Sequence, residues 1–405
     1  MLRITRPLLT AATLAFVVAP LVPAPTEAQE TPADIVRRVL DRTPLIDGHN
    51  DLPWAIRNSV EGPHDVEAPA HDLRGSTPFH TDIARLHAGS VGAQFWSVYI
   101  PYDAVEEGAA KVQLEQIDIG RQIIDKYPEA FGLALTASDL EAVYGEGRIA
   151  SMLGMEGGHA IENSLGSLRA FYDLGVRYMT LTHNGTLDWA DACCDEERHG
   201  GLTDFGREVV REMNRMGMLV DISHTSPATM NDVLDVAEAP VIWSHASARG
   251  VHDHPRNVPD QVLRRLPENG GVVMVTFVPS FLTSNDQATI ADVADHIEHI
   301  AALAGIDHVG IGSDYDGIES TPVGLEDVSK FPALFEELVR RGWSEDELAK
   351  LAGENVLRAW REAEEVARIL QRQRPPSTRT IEDMDGLIGP EDRGTGELGT
   401  AGAAR

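Results

Sequence analysis

Eight short apolar runs alternate with amphipathic stretches along this chain. The runs at 44–49, 94–100, 151–155, 177–182, 218–222, 240–243, 271–277 and 308–312 span four to seven residues each and are bounded by polar or turn-forming residues, as buried strands are. Between them, apolar positions recur at helical spacing. The spacing predicts helices over Pro32–Leu40, Val105–Lys126, Ser138–Tyr144, Leu165–Leu174, Asp204–Met216, Pro227–Val236, Asp260–Leu266, Ile290–Ala304, Lys330–Arg340 and Glu345–Leu370. In Asp204–Met216, for example, Phe205, Val209, Val210 and Met213 share one face. Residues 55–80 and 186–201 are polar or rich in turn formers and read as loops. Strand and helix in regular alternation predict an α/β protein, and eight such units predict a single closed (β/α)8 barrel of the TIM type. No internal repeat of sequence accompanies the repeat of pattern.

The two ends read differently. Arg3 and Arg6 precede an apolar run, Leu8 to Val22, and Thr26 and Ala28 stand at minus three and minus one of a cut after Ala28. That is the pattern of a secretory signal over residues 1–28. The run is shorter than the roughly 20 residues a spanning helix needs. The expectation is an exported protein, periplasmic or secreted, with no stable membrane anchor once the signal is cleaved. The barrel domain would then occupy 29–373. Residues 374–405 are Gly, Pro and charge, and read as a polar, disordered tail.

The formal net charge of -30 excludes polyanionic partners: nucleic acid and anionic membrane surfaces would be repelled. The two cysteines, Cys193 and Cys194, are adjacent, which leaves neither a disulfide framework nor a CxxC knuckle. They read as loop thiols, with an intermolecular bridge open to them in an oxidising compartment.

Candidate chemistry gathers at the strand ends. His49 and Asp51 follow the first run, Glu156 the third, His183 the fourth, His224 the fifth, His245 the sixth and Asp314 the eighth. In a (β/α)8 barrel the C-terminal strand ends converge on one mouth. Imidazole and carboxylate donors packed together there suit Zn²⁺ or a similar first-row ion. The set exceeds what one tetrahedral ion takes, whereas two ions sharing a carboxylate would use it. Only four lysines occur, Lys111, Lys126, Lys330 and Lys350, and none lies at a strand end. A carbamylated lysine therefore cannot bridge, and Glu156, followed by two glycines, is the candidate bridge. No GxSxG elbow, phosphate-binding loop or dinucleotide fingerprint is present. His296 and His299 read as a helix face; His159, His252 and His254 read as loop residues in supporting or solvent roles.

Several segments resemble the membrane (renal) dipeptidase family, the M19 zinc peptidases. They are Asp47-Gly48-His49-Asn50-Asp51-Leu52-Pro53-Trp54, Gly154-Met155-Glu156-Gly157-Gly158, Leu181-Thr182-His183-Asn184, Val220-Asp221-Ile222-Ser223-His224, Ser244-His245-Ala246, Arg256-Asn257 and Gly312-Ser313-Asp314-Tyr315-Asp316-Gly317. The resemblance covers about residues 31 to 365. It implies an amidohydrolase-like centre with two Zn²⁺ per chain: one held by His49, Asp51 and Glu156, the other by Glu156, His224 and His245. It makes Asp314 the carboxylate that handles the proton, and His183 and Arg256 the pair that faces substrate. It implies dipeptide substrates, hydrolysis by a metal-bridging hydroxide, and homodimers. In the loop after the seventh strand the mammalian members carry a tyrosine, and this chain has Phe277-Val278-Pro279-Ser280-Phe281 instead. Two other readings use the same residues: an amide or β-lactam hydrolase on the same metal centre, and a non-catalytic binding protein that keeps the barrel.

Overall fold

A computed structural model of the chain describes residues 2, 30–106, 108–285 and 287–386. Its contacts separate Met1–Thr31 from a compact unit that begins at Pro32, and the architecture below is that of the second unit. The expected signal segment lies outside the described residues except for Leu2.

Nine strands form one parallel sheet: β1 (Leu45–Asn50), β2 (Val91–Ser97), β3 (Phe131–Leu133), β4 (Ile149–Glu156), β5 (Val176–Thr180), β6 (Leu219–Asp221), β7 (Ile242–Ala246), β8 (Val272–Val275) and β9 (Val309–Ile311). β2 pairs with β4, the pairing then runs in chain order from β4 to β9, and β9 returns to β1, so eight strands close a barrel. These eight are the expected ones. β3 is additional: its three residues pair with the first half of β4, and β5 takes over alongside the second half. A Phe-Gly-Leu tripeptide is too short to show a period, and sequence pattern alone passes over it.

Side chains alternate between two cores. Ile46, Phe95, Met152, Tyr178, Leu219, Ile242, Val272 and Met274 fill the barrel; Leu45, Trp96, Leu153, Met179, Val220, Trp243, Val273 and Val309 face the helices. Because both faces of every barrel strand are covered, each strand reads as a continuous apolar run. The barrel's N-terminal end is closed by the helix Asn355–Gln373, whose Val356 and Trp360 join the inner cluster. That helix does not run on unbroken from Glu345, as its periodicity suggests. A wide π turn, Lys350–Glu354, interrupts it where Gly353 meets β1. A Cβ on Gly353 would stand 2.3 Å from the Pro44 carbonyl oxygen, so the close approach requires glycine.

The chain beyond Arg374 also departs from the sequence reading. It continues as ordered structure through Gly386 and carries a short helix, Ile381–Asp385. Ile381 is buried, and Asp385 accepts from the Thr203 hydroxyl (2.6 Å) and the Phe205 amide (3.2 Å), at the start of the helix Asp204–Met216. One apolar residue and one capping carboxylate dock a segment whose composition alone suggests a tail. Residues 387–405 lie outside the described residues. Among the described residues, no helix is long and apolar enough to cross a membrane.

One inner-core contact bears on the centre described next. Gly154 leaves room on β4 for the Tyr178 ring of β5: a Cβ there would lie 2.0 Å from the ring. Gly154→Ala should displace that ring and cost about 1–3 kcal/mol. A urea midpoint equal to that of the parent chain would contradict the assignment.

Candidate metal centre

The C-terminal strand ends surround a cavity of 640 Å³. Two buried carboxylates lie behind its wall. Asp47 on β1 accepts from the Ser313 amide and hydroxyl (both 2.7 Å) and from Gln94 (3.0 Å), fastening β1 to the segment after β9 and to β2. Burial pushes its carboxyl up to about 6 despite these bonds. Asp221 on β6 does the same for its side of the barrel. It accepts from the Ser223 amide and hydroxyl, the Ser244 amide and hydroxyl, and the Thr180 hydroxyl. Each aspartate thus holds the backbone beside a histidine, His49 in one case and His224 with His245 in the other.

Those histidines turn their Nε2 atoms toward Glu156, at the end of β4. His49 lies 3.4 Å from Glu156 Oε2, and His224 and His245 lie 3.0 and 3.3 Å from Oε1. Asp51 Oδ2 stands 3.2 Å from His49 Nε2. Hydrogen bonds behind the rings fix how each imidazole carries its proton. His49 Nδ1 meets the Tyr178 hydroxyl at 2.8 Å, and that hydroxyl is already a donor to the Gly48 carbonyl (3.2 Å). His245 Nδ1 meets the Ser244 hydroxyl at 2.8 Å, itself a donor to Asp221. His224 Nδ1 meets the side-chain oxygen of Asn184 at 3.1 Å. In each case Nδ1 is the donor, which leaves Nε2 as a bare lone pair.

This arrangement needs a cation. His224 Nε2 and His245 Nε2 are 2.9 Å apart, yet neither carries a proton to share. His49 Nε2 and Asp51 Oδ1 are buried with no hydrogen-bond partner among the described residues. Unpaired buried donors and acceptors of this kind are costly, and a metal ion would satisfy all of them. Donor atoms lie within ligating reach of one another in three groups: His49, Glu156 and His245; Glu156, His183 and His224; and His49, Asp51 and Asp314. Burial and then the neighbouring Arg256 and His183 push His224 well down from the usual histidine range, and burial and then His49 do so for His245. Asp314 is driven well up, by desolvation first and then, among the charges, by Asp51 and Glu156. A divalent cation among these groups would reverse the sign of that field.

Backbone strain marks the same place. His224, Asp314 and Asp316 adopt φ of 63°, 69° and 66°, in the left-handed region that side chains rarely occupy. The Asp314 amide donates to the His49 carbonyl at 3.0 Å, which ties the last strand end to the first.

A model of the membrane dipeptidase family, peptidase family M19, matches residues 33–374 of this chain. The chain belongs to that family. Solved structures agree. The dipeptidase AC, described as a metallopeptidase of family M19, is 27% identical with a TM-score of 0.71, over 79% of this chain and 98% of that one. A metallopeptidase from Rhodobacter sphaeroides, liganded with a phosphinate mimic of the dipeptide L-Ala-D-Ala, is 26% identical with a TM-score of 0.70, over 79% of this chain and 99% of that one. The probable dipeptidase PvdM from Pseudomonas aeruginosa shares the fold at 22% identity, with a TM-score of 0.75 over 83% and 99% of the two chains. The protein is a metallodipeptidase.

All eight sequence-derived site residues of this dipeptidase reach one region. Asp51, Glu156, His183, His224, His245, Arg256 and Asp314 line the cavity, and His49 lies buried directly beneath. Arg256 is buried, its Nη2 3.4 Å from the His245 carbonyl and its Nη1 without a partner among the described residues. Sequence reasoning missed Trp54, Tyr99, Cys194 and Phe281, which also line the cavity. Tyr99 lies two residues past β2, level with Glu156 in the register that pairs Ser97 with Gly154, and position near a strand end was the available signal. It missed Tyr178 for a better reason: that residue lies inside a strand and reaches His49 across the barrel.

His296 and His299 both lie on the helix Ile290–Ala304, as expected, and His296 faces inward. It is buried, with Nδ1 accepting from the Ala248 amide (3.0 Å) and Nε2 donating to the Leu282 carbonyl (2.9 Å). His299 is half-buried and meets Asp260 at 2.9 Å.

Two outcomes follow from these contacts. Tyr178→Phe removes the partner that aims His49 and should weaken metal binding about 10–100-fold, read by competition with a chelator. Burial lowers His296 from 6.5 to about 4. A histidine with a depressed folded pKa contributes stability that is complete above 6.5 and drains away as pH falls toward 4, by about 3 kcal/mol in all. Comparison of denaturant unfolding at pH 7.5 and pH 4 should show this loss (pH values chosen to lie at about the ends of that window), and His296→Gln should show less of it.

Proposed function

We propose that this metallodipeptidase is a binuclear zinc enzyme that cleaves the peptide bond of free dipeptides. One observation carries the reading: the two oxygens of Glu156 face different ligand groups. Oε2 faces His49, and Oε1 faces His224 and His245. A carboxylate so placed suits a bridge. His49, Asp51 and Glu156 would hold one ion, and Glu156, His224 and His245 the other. Nitrogen and oxygen donors without thiolates suit Zn²⁺ among first-row ions. When bound, such a pair lowers the pKa of water toward neutrality and polarises the scissile carbonyl.

The chain's own residues supply the rest. Arg256 presents a buried guanidinium with an unpaired nitrogen to the cavity, a fork suited to a substrate's free carboxylate. His183, whose Nε2 lies 3.9 Å from Glu156 Oε1, is lowered by burial and so stays neutral at pH 7. Its N–H can donate to the oxygen that gains charge as the carbonyl carbon becomes tetrahedral. Asp314 can accept a proton from the attacking water and pass it to the departing amine. The cavity of 640 Å³ suits a small molecule better than a folded chain. The Rhodobacter sphaeroides relative, with its phosphinate dipeptide mimic, supports the substrate class: phosphinate is tetrahedral at phosphorus, as the amide carbon is after water adds.

The N-terminal pattern of Arg3, Arg6 and the apolar run to Val22 supports export, with cleavage after Ala28. N-terminal sequencing of protein recovered from outside the cytoplasm should begin at Gln29.

Metal content and dipeptide hydrolysis, measured before and after chelation, test the centre. The reading requires about two zinc ions per chain and activity that disappears with them. Glu156→Gln should abolish cleavage; a fully active variant would remove the bridging role. Arg256→Ala separates a carboxylate-reading dipeptidase from a general amide or β-lactam hydrolase. It should lower kcat/KM for dipeptides roughly 10–150-fold, and an equal effect on a lactam lacking that carboxylate would count against dipeptide recognition.

A further inference from the structure

Two neighbouring thiols stand at the wall of the cavity and take no part in holding metal or in the hydrolysis above. Cys194 is exposed and lines the cavity beside Arg256; Cys193 is half-buried behind it. Both are free and stand next to each other in the chain. Arg249 and Arg256 place positive charge beside both sulfurs.

The peptide that carries them is fixed. The Cys193 amide donates to the carbonyl of His224 at 2.7 Å, and Ala192 forms a bridge with Thr225. Just before them, Asp191 accepts from the amides of Arg198, His199 and Gly201, which folds the loop back on itself. The pair is therefore coupled through one backbone hydrogen bond to a residue of the metal centre.

We propose that Cys193 and Cys194 form a redox-modification site, which small-molecule disulfides convert to an internal disulfide that distorts the cavity wall and slows hydrolysis. The thiolate of exposed Cys194 attacks one sulfur of the small disulfide and expels the first thiolate. The thiolate of Cys193 then attacks Cys194 Sγ in that mixed disulfide and expels the second. Two protein thiols lose two protons and two electrons, and the small disulfide becomes two thiols.

Closure cannot leave the local backbone as it is. Cα atoms joined by a trans peptide are about 3.8 Å apart, whereas bridged cysteines usually have theirs about 4.4–6.8 Å apart. The linking peptide must distort, and the peptide just before it donates to the His224 carbonyl through the Cys193 amide. A displacement on the order of 1 Å at a catalytic centre can cost about 10²-fold in rate. The same strain makes the bond easy to reduce, so the modification reverses.

The test uses the metal-loaded enzyme in glutathione buffers of rising oxidised fraction. Acid-quenched samples are read by intact mass and peptide mapping, and dipeptide kcat/KM is measured in parallel. The expected result is loss of two hydrogens per chain, mapped to Cys193–Cys194, with kcat/KM falling roughly 10–100-fold and returning on reduction. Cys193→Ser cannot close the bridge and should retain a glutathione adduct on Cys194 under the same buffers. A persistent adduct on wild-type Cys194, a disulfide between two chains, or an internal bridge that leaves kcat/KM unchanged would each overturn the proposal. The mass readout does not depend on hydrolysis, so failure of this inference and failure of the dipeptidase mechanism are told apart.

Discussion

The structure turns on three imidazole lone pairs and two carboxylates that face one another in a buried space. Left without a cation, they repel. His224 Nε2 and His245 Nε2 approach to 2.9 Å with no proton between them, a contact that only a positive charge makes favourable. Much of the neighbouring architecture serves to sustain it. Asp47 and Asp221 hold the strand ends; Tyr178, Ser244 and Asn184 take the outer imidazole protons; left-handed residues at 224 and 314 aim their side chains inward. The cost of that strain is borne by a barrel core that is apolar on both faces of its strands.

Pre-arrangement has a chemical purpose. A site whose ligands are locked before metal arrives does not reorganise as charge develops on a substrate, and fixed dipoles then act at full strength. Arg256 shares the economy. Its backbone is tied through the His254 ring, which accepts the Arg256 amide at 3.2 Å, and its guanidinium lies 5.2 Å over the Phe281 ring. The guanidinium is thus held between the Phe281 ring and the His245 carbonyl, with a nitrogen to spare.

Much of this was legible in the sequence because it depends on position along strands. Eight strands announced themselves as continuous apolar runs, since each is covered on both faces. The polar residues that gather around the cavity were legible directly after those runs. What was not legible depends on proximity between strands or on single contacts. Tyr178 matters through Gly154 on the neighbouring strand and His49 across the barrel, a relation that no local pattern encodes. β3 is shorter than any periodicity. The π turn at Lys350–Glu354 answers to the Pro44 carbonyl, hundreds of residues away in sequence, and the docking of Ile381–Asp385 rests on one apolar side chain and one cap. The burial of His296 was not legible because its two backbone partners, Ala248 and Leu282, come from other segments.

Barrel closure has a further consequence in time. The seam between β1 and β9 joins residues 266 positions apart, through Asp47 and Ser313. His49 and Asp51 are among the first residues of the barrel to be made, and the segment that locks their strand is among the last. A ribosome-bound chain that has not reached Ser313 has an open sheet with two unpaired edges and a metal centre lacking one wall. Contacts this distant in sequence form late. The half of the centre built on His49, Asp51 and Asp314 is therefore completed only when that seam closes, after the half around His224 has been made.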